Sequence, residues 1–268
     1  MTSPNSETLL AMSKDELLVH FKTLGIRSLI DDNLDDFLSV AKNERWSART
    51  VLEQLVKREI IERERRSLAW RLRDCKIGSF APMADFDWGW PEKINRQTIE
   101  RLLTADFVAQ GDNAVLVGTQ GLGKTMVAKN IVLNAVHQGH TALFVSAAQM
   151  LVDLGAQDSS TSLERRLKHY GQPMLLCIDE IGYLSYDQRA ADLLFQVISR
   201  RYERKSIIVT TNLAFNDWPT VFPGATSVAS LIDRLIHHSE IALIEGESYR
   251  KRQAQKQKAA KDKKGKHS

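Results

Sequence analysis

A chain of 268 residues is long enough for one or two domains, and 43% hydrophobic content is enough for a sizeable core. No apolar run approaches the ~18 residues of a membrane span, and residues 1–15 lack the basic-then-apolar pattern of a leader, so a cytoplasmic protein is expected. The net charge of +4 is uneven: residues 251–268 hold eight lysines or arginines against Asp262, which leaves the rest of the chain net acidic.

The first part reads as helical. Residues 14–24 place Leu17, Leu18, Phe21 and Leu24 on one helical face before Gly25. Residues 31–41 turn Leu34, Phe37, Leu38 and Ala41 inward. Ser47 is suited to cap a long third helix whose apolar stripe is Leu52, Leu55, Val56 and Ile60, continuing to Leu68 and Leu72. Residues 57–76 carry eight basic and four acidic side chains, with the basic ones concentrated toward the end. Two readings fit: a solvated helix with internal ion pairs, or a DNA-facing helix whose contacts come from Arg63, Arg65, Arg66, Arg71, Arg73 and Lys76.

Residues 78–91 contain two prolines, two glycines and clustered aromatics, and read as a loop that packs at a domain boundary. The expected organisation is a helical domain over 1–77, a linker over 78–96, a second domain over 97–250 and a basic tail over 251–268. The tail lacks apolar anchors and reads either as a polyanion contact or as a solubilising segment.

From residue 97 the pattern alternates. Helix is expected over 97–103, 125–138, 147–154, 163–170, 187–203 and 227–238. Strands are expected over 114–117, 142–146, 174–178, 207–210 and 241–244. Apolar strands alternating with helices give an α/β domain, a five-stranded parallel sheet covered on both faces. Arg165, Arg166 and Lys168 form a second basic cluster, again either a solvated face or a DNA contact. Cys75 and Cys177 have no metal-ligand spacing, and the adjacent His237 and His238 are not expected to share a ligand.

The run Gly118-Thr119-Gln120-Gly121-Leu122-Gly123-Lys124-Thr125 matches G-x-x-x-x-G-K-[ST] between an expected strand and an expected helix that begins near Met126. Glycines let backbone N–H groups wrap phosphate oxygens, and the helix N-terminus favours an anion. Lys124 is expected to reach the β- and γ-phosphates of ATP, and Thr125 to ligate Mg²⁺. The strand at 174–178 runs into Asp179 and Glu180. Asp179 is expected to hold the Mg²⁺ shell and Glu180 to orient or deprotonate the attacking water, which favours hydrolysis over transfer to an acceptor. A further strand runs into Asn212, a neutral amide suited to the γ-phosphate or the water, with Thr211 as the alternative.

Together these residues resemble the AAA+ ATPases, and within them the IstB family of transposase helper ATPases. The likeness is strongest over residues 175–212, 231–238 and 246–252, and extends to 106–125, 58–78 and 84–88. It implies an AAA+ fold and assigns Asn212 as sensor 1. It makes Arg234 an arginine finger acting in a neighbouring subunit, and Arg250 sensor 2. It further implies ATP-dependent homo-oligomers on double-stranded DNA that bend or wrap the target and deliver it to a partner transposase, with no membrane partner. The chain departs from the family pattern at Thr119-Gln120, at Pro219 and Pro223, and in its lysine-rich tail. A helicase loader related to DnaC is the alternative. A small-molecule kinase is disfavoured by Glu180, Asn212, Arg234 and Arg250 as a set.

Overall fold

Residues 12–30, 33–183, 186–249 and 252 are described in the computed structural model. The chain divides into two units, residues 1–69 and 70–268, with the division inside one long helix.

In the first unit, helix α1 (Lys14–Thr23) starts at a capping box: Ser13 accepts from the Glu16 backbone N–H while the Glu16 carboxylate reaches back to Ser13. Helix α2 (Asn33–Asn43) follows, and then α3 (Ala48–Asp74), capped by Ser47 Oγ, which accepts from the Thr50 N–H at 3.1 Å. Leu29, Leu34 and Phe37 form the buried cluster, with Leu17, Leu18, Phe21, Trp46, Val51 and Leu55 packed around it. The stripe expected along α3 is split by this packing. Leu55 turns toward the cluster, whereas Leu52, Val56 and Ile60 are exposed. Helical periodicity says which residues share a face, not whether anything covers it.

Glu59 is the buried acid of this unit. Burial by itself pushes its carboxyl up. The Arg63 guanidinium and the backbone N–H groups of Arg27 and Ser28, at 2.8, 2.8 and 3.0 Å, more than reverse this and bring it down to about 2.

The second unit opens with the last turn of α3. There the Arg71 guanidinium donates to the Val136 carbonyl at 3.2 Å and the Cys75 carbonyl accepts from the Phe144 N–H at 2.8 Å. The elements then run β1 (Lys93–Ile94), α4 (Arg96–Leu103), α5 (Phe107–Gln110), β2 (Asn113–Gly118), α6 (Lys124–His137), β3 (Ala142–Ser146), α7 (Ala147–Gly155), α8 (Ser160–Gly171) and β4 (Leu175–Ile181). They continue with α9 (Gln188–Arg201), β5 (Ser206–Thr211), α10 (Trp218–Val221), α11 (Val228–Ile236) and β6 (Ser239–Glu245).

Among the described residues the sheet has six strands in the order β1-β6-β2-β5-β4-β3. The expected five are all present and parallel. The sixth, β1, is a two-residue antiparallel edge strand, with Lys93 opposite Glu245 and Ile94 opposite Ile244. It lies in the stretch read from sequence as linker, where two residues are too few to show a strand period.

Strands β2, β4 and β5 are buried on both faces almost throughout, as their unbroken apolar runs require. The expected cover of both faces fails at β6, which alternates and exposes Ile241 and Leu243. One face packs Val115, Leu176, Ile178 and Val209 against Leu194, Val197 and Leu231 of the helices. Helix α6 packs on β2, β3, β4 and β5. Arg201 closes the amino end of β4 and β5. Its guanidinium is fully buried and donates to the carbonyls of Tyr170, Pro173, Met174 and Ser206 at 2.9, 2.9, 3.0 and 2.6 Å. Burial lowers its pKa to about 9.

Candidate nucleotide-binding site

The site gathers at the carboxyl ends of β2, β4 and β5, the end of a parallel sheet where ligands are held. Between β2 and α6 the chain makes its glycine turn. Gly123 has φ +88°, and a Cβ there would lie 2.7 Å from the Phe86 ring. Glycine is therefore demanded twice, by the left-handed backbone and by the close ring. Lys124 opens α6 and its Nζ donates to the carbonyls of Gly118 and Thr119 at 2.7 and 2.8 Å. Gly118 and Thr119 thus hold the lysine, while Gln120, Gly121, Leu122, Gly123, Lys124, Thr125 and Met126 line a cavity of about 600 Å³.

Glu180 reaches this cavity, and Asp179 reaches Thr125 beside it, through an irregularity in the sheet. Ile178 pairs with Val209, and Ile181 pairs with Thr211, so Asp179 and Glu180 together stand opposite Thr210. This is a β-bulge, in which two residues oppose one. In a flat strand neighbouring side chains point to opposite faces. Here Asp179 Oδ1 accepts from Thr125 Oγ1 at 3.1 Å, and Glu180 lines the same cavity as Thr125. Glu180 has φ +64°, a left-handed conformation that costs a non-glycine residue about 1–2 kcal/mol. Its N–H donates to Thr210 Oγ1 at 2.8 Å, and Thr210 Oγ1 donates to Asp179 Oδ1 at 2.6 Å. Asn212 and Thr211 lie at the end of β5 and line the cavity with Glu180. Just inside the sheet, burial and then the Asp179 carboxylate push the Cys177 thiol well up, so it is a neutral core residue.

Several lining residues carried no signal in the sequence. The 78–91 loop lies over the phosphate turn, and Ala81, Asp85, Phe86 and Trp90 line the cavity. Asn130 of α6 pins that loop: its Nδ2 donates to the Ala81 carbonyl at 3.1 Å and its Oδ1 accepts from the Met83 N–H at 3.2 Å. The stretch after β6 closes another side. The Tyr249 N–H donates to the Gly121 carbonyl at 3.0 Å, Thr119 Oγ1 donates to the Gly246 carbonyl at 3.1 Å, and Trp90 Nε1 donates to the Glu247 carbonyl at 2.7 Å. The Arg252 guanidinium stands 4.2 Å over the Trp90 ring. The aromatic cluster read as a packing loop is thus a wall of the cavity.

The cavity fits a nucleoside triphosphate. Its volume lies within the ~300–1,000 Å³ of ligand pockets, and its lining combines a glycine turn and helix N-terminus with the rings of Phe86, Trp90 and Tyr249. The adjacent oxygens of Thr125 and Asp179 are a donor set suited to a hard cation such as Mg²⁺.

Other expected residues lie elsewhere. Arg234, on α11, does not line the cavity. Its guanidinium contacts Ser199 Oγ and sits 4.7 Å over the Phe195 ring. Arg250, Lys251 and residues 253–268 of the expected tail lie outside the described residues. On α3, Arg63 pairs with Glu59, Arg65 with Glu62, and Arg66 with both acids. Arg73 and Lys76 are exposed. On α8, Arg166 pairs with Asp153, which also accepts from Tyr170 Oη at 2.7 Å, while Arg165 and Lys168 are exposed. Burial, then this bond to Asp153, raises the Tyr170 pKa to about 12. His237 and His238, expected to point apart, have ring centroids 4.1 Å apart, because His237 is the C-cap where α11 ends. With Glu203 their ligand atoms lie within 4.8 Å of one another, all three residues being exposed. No described helix is long and apolar enough to cross a membrane.

Residues 19–258 match the family model of the IstB-like ATP binding protein. The chain belongs to this family. Among IstB-like relatives, it is 34% identical over 222 residues to a protein of Geobacillus stearothermophilus named as ATP-binding in insertion sequence IS5376, covering 78% of this chain and 88% of that one. It is 33% identical over 241 residues to the corresponding protein of insertion sequence IS232 from Bacillus thuringiensis subsp. berliner, covering 89% of this chain and 95% of the relative. Among solved structures, DnaI superposes with a TM-score of 0.51 at 19% identity, over 63% of this chain and 89% of its own, a likeness of fold. The mixed sheet with its flanking helices is the AAA+ core that the IstB-like assignment carries.

Proposed function

We propose that this IstB-like chain is an ATP-hydrolysing regulator of transposition. In this reading it assembles with ATP on double-stranded target DNA, remodels it and delivers it to a partner transposase. The observation that carries the reading is the convergence of Lys124, Thr125 and Glu180 on one cavity, with Asp179 bonded to Thr125 beside it, in a chain whose relatives are ATP-binding proteins of insertion sequences.

Lys124 and the N–H groups of the glycine turn bind the phosphates. Thr125 and Asp179 would hold Mg²⁺, which would supply neutralisation of charge on the phosphate oxygens. The Glu180 carboxylate accepts a proton from the attacking water, and the Asn212 amide orients that water without adding charge. Arg234, on a helix outside the cavity, is suited to reach a neighbouring subunit's phosphates once it leaves its contact with Ser199. A site completed by a neighbour makes ATP a ligand of the assembled state, and mass action then couples nucleotide to assembly. Arg250 is assigned to the γ-phosphate in its own subunit. Arg63 and Arg65 are exposed too but are held by Glu59 and Glu62, so the exposed cations Arg73, Lys76, Arg165 and Lys168 are the DNA contacts best suited, made to phosphates and therefore sensitive to salt.

The test combines phosphate release without an acceptor substrate with binding to long duplex and single-stranded DNA, in ATP, in ADP and without nucleotide. Hydrolysis with ATP-dependent duplex binding is expected. Preference for single strands would favour a helicase loader, and binding to neither DNA would sink both.

A further inference from the structure

The bulge at Asp179–Glu180 leaves a problem that one side chain solves. Inserting an extra residue into β4 removes the Glu180 N–H from the β4–β5 ladder. Glu180 is exposed, but its N–H is aimed into the sheet at Thr210, the residue opposite the bulge, which is fully buried, and an N–H left unpaired against a buried neighbour is costly. The Thr210 hydroxyl takes the ladder's place. A hydroxyl donates and accepts at once, and here it accepts from the Glu180 N–H at 2.8 Å while donating to Asp179 Oδ1 at 2.6 Å. Asp179 Oδ1 also accepts from Thr125 Oγ1 at 3.1 Å. One hydroxyl therefore joins the backbone of the candidate base to the candidate cation-holding carboxylate.

We propose that Thr210 is a positioning residue for hydrolysis: it holds Glu180 in its left-handed backbone conformation and fixes the Asp179 carboxylate toward Thr125, so that base and cation site are set together. The inference rests on the ATPase reading above. No sequence motif marks Thr210, because its role exists only opposite the bulge. Valine has nearly its shape and equal suitability for a strand, yet neither donates nor accepts. Serine keeps both bonds.

The test compares Thr210→Val and Thr210→Ser with the wild type in phosphate release at varied ATP and varied Mg²⁺, with affinity for a fluorescent ATP analogue and thermal melting measured alongside. Thr210→Val is expected to lower kcat by about 10- to 100-fold, the loss that hydrogen bonds to charged or strained groups carry. It should raise the Mg²⁺ concentration needed for half-activity, with analogue affinity within about 3-fold of wild type. Thr210→Ser should restore kcat to within about 3-fold. In a Glu180→Gln background the valine change should add little to the loss in kcat at saturating Mg²⁺, since that part acts through Glu180, while the raised Mg²⁺ requirement, which acts through Asp179, should persist. A valine variant with wild-type kcat and wild-type Mg²⁺ dependence overturns the proposal. So does equal loss in valine and serine variants that tracks a lowered melting temperature. If the valine variant fails to fold, Thr210→Ala takes its place against Thr210→Ser. A wild type that binds ATP without hydrolysing it overturns the ATPase reading, and this inference with it, before any variant is compared.

Discussion

In the 70–268 unit the central strands β2, β4 and β5 are buried on both faces almost throughout, and even a guanidinium, Arg201, is taken into the core, where its two terminal nitrogens donate to four carbonyls. In the 1–69 unit the buried cluster is Leu29, Leu34 and Phe37, while along α3 Leu52, Val56 and Ile60 are 62%, 56% and 50% exposed. A fully buried aliphatic side chain contributes about 1.5–3 kcal/mol, so the larger unit has ample means to hold a bulge and a left-handed glutamate in place. The smaller unit leans on charge instead. Glu59 ties the 27–28 turn to α3, and Glu62 ties Arg65 and Arg66 along it. Rigid sheet and polar lacing suit different tasks: the first fixes reacting groups, and the second presents a surface.

The sharpest break between the two units is expected from the phosphate site. Glu180→Gln should lower phosphate release by about 10²–10⁴-fold while nucleotide binding persists, as expected for loss of a general base. Lys124→Ala should weaken nucleotide binding itself. Analogue titration and phosphate release separate the two, and amide exchange in α1 and α2 should stay unchanged in both. Comparable hydrolysis by Glu180→Gln would remove Glu180 from the base role.

A structural loss of similar size is expected in the same unit from Arg201→Met. The change removes the donor shared by the carbonyls of Tyr170, Pro173, Met174 and Ser206 in a dry interior, where the Met174 carbonyl keeps a second donor, the Ser206 N–H at 3.1 Å. A cost of about 3–5 kcal/mol follows, read as a large fall in melting temperature. A fall of less than about 1 kcal/mol would mean that water or rearranged backbone replaces the guanidinium.

These two sites differ in how legible they were. Lys124, Thr125, Asp179 and Glu180 stood out because phosphate chemistry fixes residue type at fixed spacing beside a strand. Arg201 reads in the sequence as one of a run of surface arginines, since nothing local says that four carbonyls converge on it. Thr210 and Asn130 were invisible for the same reason. One acts across a bulge that exists only once β4 and β5 pair, and the other holds a loop distant in sequence. The parallel sheet was legible from its apolar runs, while β1 was too short to show a period. On α3 the period was right and its consequence was not, because exposure depends on what the neighbouring helices reach.

In the helical unit a smaller effect, with a pH signature, is expected from Glu59→Gln. The folded carboxyl sits at about 2 against an ordinary 4.5, so its contribution is fully present above pH 4.5 and is lost as pH falls toward 2. The variant should lower the stability of this unit by about 1–2 kcal/mol at neutral pH and flatten its pH dependence across that window. Amide exchange in α1–α3, followed from pH 6 downward, tests this. An unaltered slope below pH 4.5 in the variant would assign the acid sensitivity to other carboxylates.

The smallest effect concerns DNA, and the ion pairs decide where to look for it. Reversing Arg65 and Arg66 would strip Glu62 of its partners, take one of the cations from Glu59 and disturb the helical unit along with any DNA contact. Arg73 and Lys76 are exposed and stand beyond those acids, so neutralising them separates the two effects. Each lost phosphate contact lowers the slope of log affinity against log salt by about 0.9. Arg73→Gln with Lys76→Gln should therefore reduce that slope by about 2 and weaken duplex binding similarly across unrelated sequences, while nucleotide affinity and Glu59-dependent stability stay as in the wild type. A slope equal to the wild type's would take the end of α3 out of the DNA-binding surface and leave Arg165 and Lys168 of α8, in the same 70–268 unit, as the exposed cations to test.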